Sequence, residues 1–153
     1  MKKFVLALTL ATLTSTAAFS ATTATLLLKG TIAPLLNISV TPESVSSALD
    51  LTATQTNTKV ATVQEKSNSS TGYKVTISSQ NLGVLKNNTS TFVYSLAYDG
   101  IALNLASPVT KTYSASAAVT SNKNVNISYT GVPADQLVAG DYTDTITFTI
   151  AAN

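Results

Sequence analysis

The side chains that most often carry catalysis are missing from this sequence. It contains no histidine, no cysteine, no tryptophan and no arginine. A general base poised near neutral pH, a thiolate nucleophile and the common zinc ligands are therefore absent. What remains is nine lysines and seven acids, Glu43, Asp50, Glu65, Asp99, Asp135, Asp141 and Asp144. The acids stand singly, mostly in or near turn-like stretches, and read as solvated. Asp141 and Asp144 are the only close pair. Three apart on a strand, they point to opposite faces, which builds neither a carboxylate dyad nor a Ca²⁺ loop. No catalytic residue, metal site or cofactor is expected, so the chain is not read as an enzyme. Asn-x-Ser/Thr sequons at Asn37, Asn68, Asn87, Asn88 and Asn126 arise by chance in so Thr/Ser/Asn-rich a chain.

The six tyrosines could stack on sugar rings. Tyr73, Tyr94, Tyr98, Tyr113, Tyr129 and Tyr142 mostly fall on the apolar phase of their runs, so they read as core. Leu137-Val138-Ala139-Gly140-Asp141-Tyr142 places a Tyr behind a Gly turn at the entry of the last strand. Immunoglobulin-type sandwiches carry a Tyr at such a corner, its hydroxyl bonding back across it. An ordinary core Tyr fits equally well.

The elements that must position these residues are strands. Within 153 residues, one domain is expected. Lys2 and Lys3, the apolar run Phe4–Leu13 and the small residues around Ala18-Phe19-Ser20 read as a signal peptide, residues 1–20. The run is shorter than the ~20 residues of a spanning helix, and no later run is long enough, so no membrane span is expected after cleavage. The remaining seven lysines balance the seven acids. Such a neutral chain offers no basic stripe for nucleic acid and no polybasic cluster for anionic lipid. Charged residues make up 10% of the whole chain, against the usual ~25%. Thr, Ser, Asn and Ala take their place.

No amphipathic helix is found. Ser44–Leu51 and Ala134–Val138 suffice for single turns. Alternation predicts strands over Leu35–Thr41, over Lys59–Lys66 with a phase change between Val60 and Val63, and over Gly72–Ser79 with Tyr73, Val75 and Ile77 inward. Thr91–Tyr98 puts Phe92, Tyr94, Leu96 and Tyr98 on one face. Asp99-Gly100 is a strong hairpin signal, with Ile101–Leu105 pairing back. Lys111–Thr120 and Asn124–Thr130 are weaker strands. Asp141–Ile150 closes the chain with Tyr142, Ile146, Phe148 and Ile150 inward. Turns are expected at 41–43, 68–72, 86–89, 121–123 and 139–141. Seven or eight short strands at this spacing predict an all-β, immunoglobulin-like Greek-key sandwich.

The stretch "TATLLLKGTIAPLLNISV", residues 23–40, holds two alternating runs divided by Pro34. The second run is read as the first strand of the sandwich. The first run is an extra edge strand of its own domain, a kinked continuation of the first strand, or a strand that leaves to complete another copy's sheet.

"LLLKGTI", "EKSNSSTGYKVTISS" and "GDYTDTITFTIAAN" resemble segments of the major subunits of chaperone–usher pili. The chain resembles a divergent, Cys-less branch near the spore-coat-U-like and archaic fimbrial subunits. The resemblance covers most of the chain after residue 20 in layout and about thirty residues in motif. The Cys pair usual in such pilins is missing. The resemblance implies residues 21–33 as an N-terminal donor-strand extension and residues 34–153 as an incomplete immunoglobulin-like pilin domain, completed by donor-strand addition. Ala24, Leu26, Leu28, Gly30 and Ile32 would then form the donor strand. Ile38 and Val40 on one wall, and Tyr142, Ile146, Phe148 and Ile150 on the other, would form the acceptor groove. The implied partners are other copies of the chain in a surface fibre, a periplasmic pilus chaperone and an outer-membrane usher. The implied location is the cell surface, reached through the periplasm. The competing expectations are a self-complete secreted sandwich that binds a sugar or protein, and a coat protein that associates laterally.

Overall fold

Alternating apolar and polar residues make strands only where each face finds cover, and this sequence alternates along most of its length. A computed structural model of the chain describes residues 21–114 and 117–153. The signal-peptide expectation, residues 1–20, lies outside them. Ten strands follow in order: β1 (Leu36–Pro42), β2 (Gln55–Ser67), β3 (Tyr73–Ser79), β4 (Val84–Asn87), β5 (Ser90–Val93), β6 (Ser95–Tyr98), β7 (Ile101–Leu103), β8 (Val109–Tyr113), β9 (Val119–Tyr129) and β10 (Ile146–Ala152). Every pairing between them is antiparallel. One sheet runs β1-β2-β9-β6-β7 and a second β10-β3-β8. The β4-β5 hairpin forms a third, bridged to the segment before β10 through Lys86 and Thr143. The described residues contain no α-helix. Short 3-10 turns occupy Ser44–Ser47 and Ala134–Gln136, where single turns were expected. The chain is all-β, with the sheets of a β-sandwich gathered on one apolar core.

Several local expectations hold for physical reasons. Tyr73, Val75 and Ile77 are buried on one face of β3. The phase change in β2 is a register shift between Lys59 and Ala61 against β9, which turns both Val60 and Ala61 inward. Asp99 and Gly100 both take positive φ, 51° and 77°, and pair Tyr98 with Ile101 across the tight turn.

Three expectations are corrected. The turn expected at Ser121-Asn122-Lys123 lies inside β9, where these residues pair with Glu65, Gln64 and Val63 of β2. The expected strands Lys111–Thr120 and Asn124–Thr130 accordingly become β8, a connection that includes the undescribed residues 115–116, and one long β9. The run Thr91–Tyr98 is two strands. It pairs with β4 up to Val93, then with β7 and β9 from Ser95, so the chain changes sheets at Tyr94 while Phe92, Tyr94, Leu96 and Tyr98 all stay buried. Two acids read as solvated are not. Glu65 is fully buried. Asp144 accepts from Ser79 Oγ and Tyr94 OH, both at 2.6 Å, and from the Asn81 N–H at 3.0 Å.

The core joins the sheets through Val63, Val75, Ile77, Tyr98, Val125 and Ile127, all buried. The Tyr98 ring lies 5.7 Å from that of Phe148 on the opposing sheet. The Phe92 and Tyr129 rings meet edge-to-face at 5.3 Å. Tyr129 OH donates to the Asp50 carbonyl at 3.1 Å, which ties the end of β9 to the loop after β1. At the opposite end of the core, Glu65 accepts from the hydroxyls of Tyr73 and Tyr98. Burial, then these hydrogen bonds, push both phenols well above their ordinary range. Tyr113 is pushed up to about 12, first by burial and then by the charges of Glu65 and Asp99. Lys123 lies 5.4 Å above the Tyr113 ring and pairs with Asp99 at 2.7 Å.

Candidate functional site: a cleft between two free sheet edges

Among the described residues, β1 has a single hydrogen-bonded neighbour, β2, and β10 has a single neighbour, β3. Each therefore presents one row of backbone N–H and C=O groups without a strand partner. The two edges lie near each other, with Cα atoms of β1 and β10 approaching within 8 Å. Their order follows from the registers. Leu36 opens β1 opposite Ser67, and Ala152 closes β10 opposite Tyr73. Ser67 and Tyr73 bound the same short loop, and the Asn153 N–H donates to the Gly72 carbonyl at 3.4 Å. The start of β1 and the end of β10 thus share one end of the cleft, and the two strands run in opposite directions.

The walls are apolar on alternate residues, because strand side chains alternate faces. On β1, Leu36 and Ile38 are half-buried and Val40 is 46% exposed. On β10, Ile146, Phe148 and Ile150 are half-buried, while Thr147 and Thr149 face solvent. All but Val40 pack against the core from its margin. The six acceptor-groove residues named from the sequence therefore split as follows. Ile38, Val40, Ile146, Phe148 and Ile150 flank the cleft. Tyr142 lies beyond the start of β10, its ring edge-on to Phe92 at 6.5 Å. No hydrogen bond from its hydroxyl occurs among the described residues; of the two readings given to it, the corner bond is not seen there, and Tyr142 packs against the core. The hydroxyls of Tyr129 and Tyr94 tie distant loop segments instead, at Asp50 and Asp144.

Tyr142 instead lines an open cavity of about 880 Å³. Leu49, Leu51, Leu85 and Leu137 give it an apolar floor, and Asp50, Asp141 and Asp144 stand on its rim. The sequence reading passed over Leu49 and Leu137. Their signal was their place inside the two single-turn stretches, which pack Val45, Leu49 and Leu51 from the first and Leu137 from the second against the core. The Thr52 hydroxyl and then its backbone N–H hydrogen-bond Asp50 Oδ1, at 2.6 and 3.0 Å, and hold that carboxyl below its usual range.

The donor residues named from the sequence are Ala24, Leu26, Leu28, Gly30 and Ile32. Residues 21–35 belong to no strand and are exposed throughout. Leu26, Leu28 and Ile32 are 83%, 84% and 88% exposed, and Leu27 is 87% exposed. Four large apolar side chains in water, three of them on one phase, are costly, at ~1.5–3 kcal/mol of forgone burial each. The cleft can offer two chemical services. Its edges supply hydrogen-bond partners to an extended backbone, and its apolar margin covers alternate side chains of that backbone. No group of three or more His, Cys, Asp or Glu gathers in a metal-holding arrangement among the described residues, and no helix there is long and apolar enough to cross a membrane. The chain matches no known family model and no curated protein.

Proposed function

We propose that the chain is a structural subunit of a bacterial surface pilus and polymerises by donor-strand exchange. One observation carries the reading: among the described residues, two unpaired sheet edges flank half-exposed Ile38, Ile146, Phe148 and Ile150, and the apolar side chains of residues 24–32 are exposed and covered by no described strand. On this reading the immunoglobulin-like Greek-key sandwich lacks one strand. Residues 24–32 of one copy enter the cleft of the next and pair with the edges by strand addition. A periplasmic chaperone covers the cleft until then, and an outer-membrane usher carries the subunits to the surface. Each copy gives with one end and receives with another, so the contact does not close and a fibre grows.

The energetics support the reading. Burying three or four large apolar side chains contributes on the order of 5–10 kcal/mol before ordering costs. A strand bonded to both edges needs ~9.6 Å between them, twice the interstrand spacing. β1 and β10 approach more closely than that, so the cleft widens as the donor enters. A neutral surface rich in Thr and Asn suits a subunit packed against copies of itself.

The experiment is a gel of surface-sheared material, run in SDS with and without boiling and probed for this chain. A ladder that collapses to single chains only on heating, and that disappears when residues 21–32 are deleted, supports the fibre. A single monomer band in both lanes rejects it in favour of a self-complete secreted sandwich that binds a ligand.

A further inference from the structure

Ala33 and Leu35, just ahead of β1, have no strand opposite them, because β2 ends at Ser67, the partner of Leu36. Asn68 takes the place of that strand. Its backbone N–H donates to the Leu35 carbonyl at 3.1 Å. Its Oδ1 accepts from the Leu35 N–H at 2.6 Å, and its Nδ2 donates to the Ala33 carbonyl at 2.9 Å. The chain is held in line with β1 past the end of the backbone ladder. Pro34 stiffens the same link, since its ring fixes φ and steers Ala33 into extended conformations.

This matters because a tethered segment competes with free copies for its own cleft. Joined by a few residues, it would meet that cleft at an effective concentration of ~1 mM. Separate copies at ~10 µM would lose that competition by about a hundredfold unless geometry forbids the intramolecular route. Residue count does not forbid it. Residues 33–35 are long enough for a hairpin loop that would lay residues 24–32 back along β1. That reversal would break every hydrogen bond Asn68 makes to Ala33 and Leu35, and would bend a Pro-stiffened extended link.

We infer that Asn68 is the positioning residue that keeps the N-terminal segment out of its own chain's cleft and reserves it for a second copy; the inference rests on the donor-strand reading above. Asn68→Ala removes both side-chain bonds. Asn68→Asp keeps the acceptor for Leu35 and loses the donor to Ala33.

The test is hydrogen-exchange mass spectrometry of residues 23–32 in the secreted chain, on monomer and high-mass fractions separated by size. In the wild-type monomer this segment should exchange without protection, and only the high-mass fraction should protect it. In Asn68→Ala the protected share of the monomer should rise about tenfold or more, independent of protein concentration, while the SDS ladder shrinks. Asn68→Asp should fall between, and carries the comparison alone if Asn68→Ala does not fold. An Asn68→Ala monomer as unprotected as wild type, or a wild-type monomer already protected, overturns the inference. A wild type with no high-mass fraction rejects donor-strand exchange instead, and the monomer comparison still decides the role of Asn68.

Discussion

The hydroxyl of Tyr73, on the β10-β3-β8 sheet, donates a hydrogen bond of 2.8 Å to Glu65 Oε2 on the opposing sheet. Tyr98 donates to the other oxygen of the same carboxylate. A fully buried acid thereby has both oxygens engaged, and the two sheets are joined by polar bonds as well as by apolar packing. Removing the carboxylate strands two buried hydroxyls, each at ~1–3 kcal/mol. Glu65→Ala should therefore cost about 3 kcal/mol or more in urea unfolding. Glu65→Gln keeps one acceptor oxygen and should cost about half as much. Equal losses for the two variants would show that the two hydrogen bonds to the carboxylate outweigh the packing that only Ala removes; a Gln variant as stable as wild type would show that packing is the larger part.

The same tyrosines set the alkaline limit. Tyr73 and Tyr98, raised by burial and then by Glu65, and Tyr94, raised by burial and then by Asp144, all ionise less readily folded than unfolded. A raised pKa contributes stability that is complete below the unfolded value, ~10 for Tyr, and is lost as pH rises through the folded value. Stability should hold level up to about pH 10 and fall above it. Absorbance at the phenolate band should show most tyrosines ionising late and together with unfolding, whereas a smooth titration near pH 10 in the folded chain would contradict the buried network.

On the donor-strand proposal, Leu26 and Leu28 act in the fibre and not in the monomer. Both are almost fully exposed, so Leu26→Asp and Leu28→Asp should change monomer stability by less than ~0.5 kcal/mol. Either should greatly weaken the heat-sensitive ladder. Phe148→Ala should do both, costing the monomer about 2 kcal/mol through its lost contact with Tyr98. Denaturation and gel assays on the three variants give the comparison, and a stability loss in the Leu variants would place the segment in its own domain.

Gly131 is required for space. A Cβ there would collide with the Thr52 carbonyl oxygen and lie 2.7 Å from the Ala53 carbonyl carbon. Backbone cannot yield as a flexible side chain can, so Gly131→Ala should cost about 1–3 kcal/mol. The loop it would displace holds Asp50 and Leu51 on the wall of the 880 Å³ cavity. A midpoint shift below a few tenths of a molar in urea would mean that the loop gives way freely.

Much of the fold can be read from the sequence where local signals and long-range pairing agree. The Asp99-Gly100 turn, the β2 bulge and the inward Tyr73-Val75-Ile77 face are such places. Tyr94 is not one. Its run keeps an unbroken period of two, so alternation carries no trace of the change of sheet. Ser121-Asn122-Lys123 has the composition of a turn, and only its pairing with Val63, Gln64 and Glu65 makes it a strand. Glu65 could have been placed inward, since it shares the phase of Val63, but its partners Tyr73 and Tyr98 belong to other strands. For the cleft, the alternation of β10 pointed to Ile146, Phe148 and Ile150. The loops that bring Leu49 and Leu137 beside Tyr142 follow from tertiary packing.

The β2–β9 ladder sets the pace at which the molecule can form. It pairs residues far apart in sequence, and the Gln64–Asn122 side-chain bond across it spans 58 positions. The entropy of closing so long a loop is lost before the ladder returns any stabilisation. Chains dominated by such distant pairings fold in milliseconds to seconds. A newly made chain would therefore hold β1 and β2 with unmatched edges until β9 has joined them, and in that interval the free edges of β2 are open to any strand that meets them.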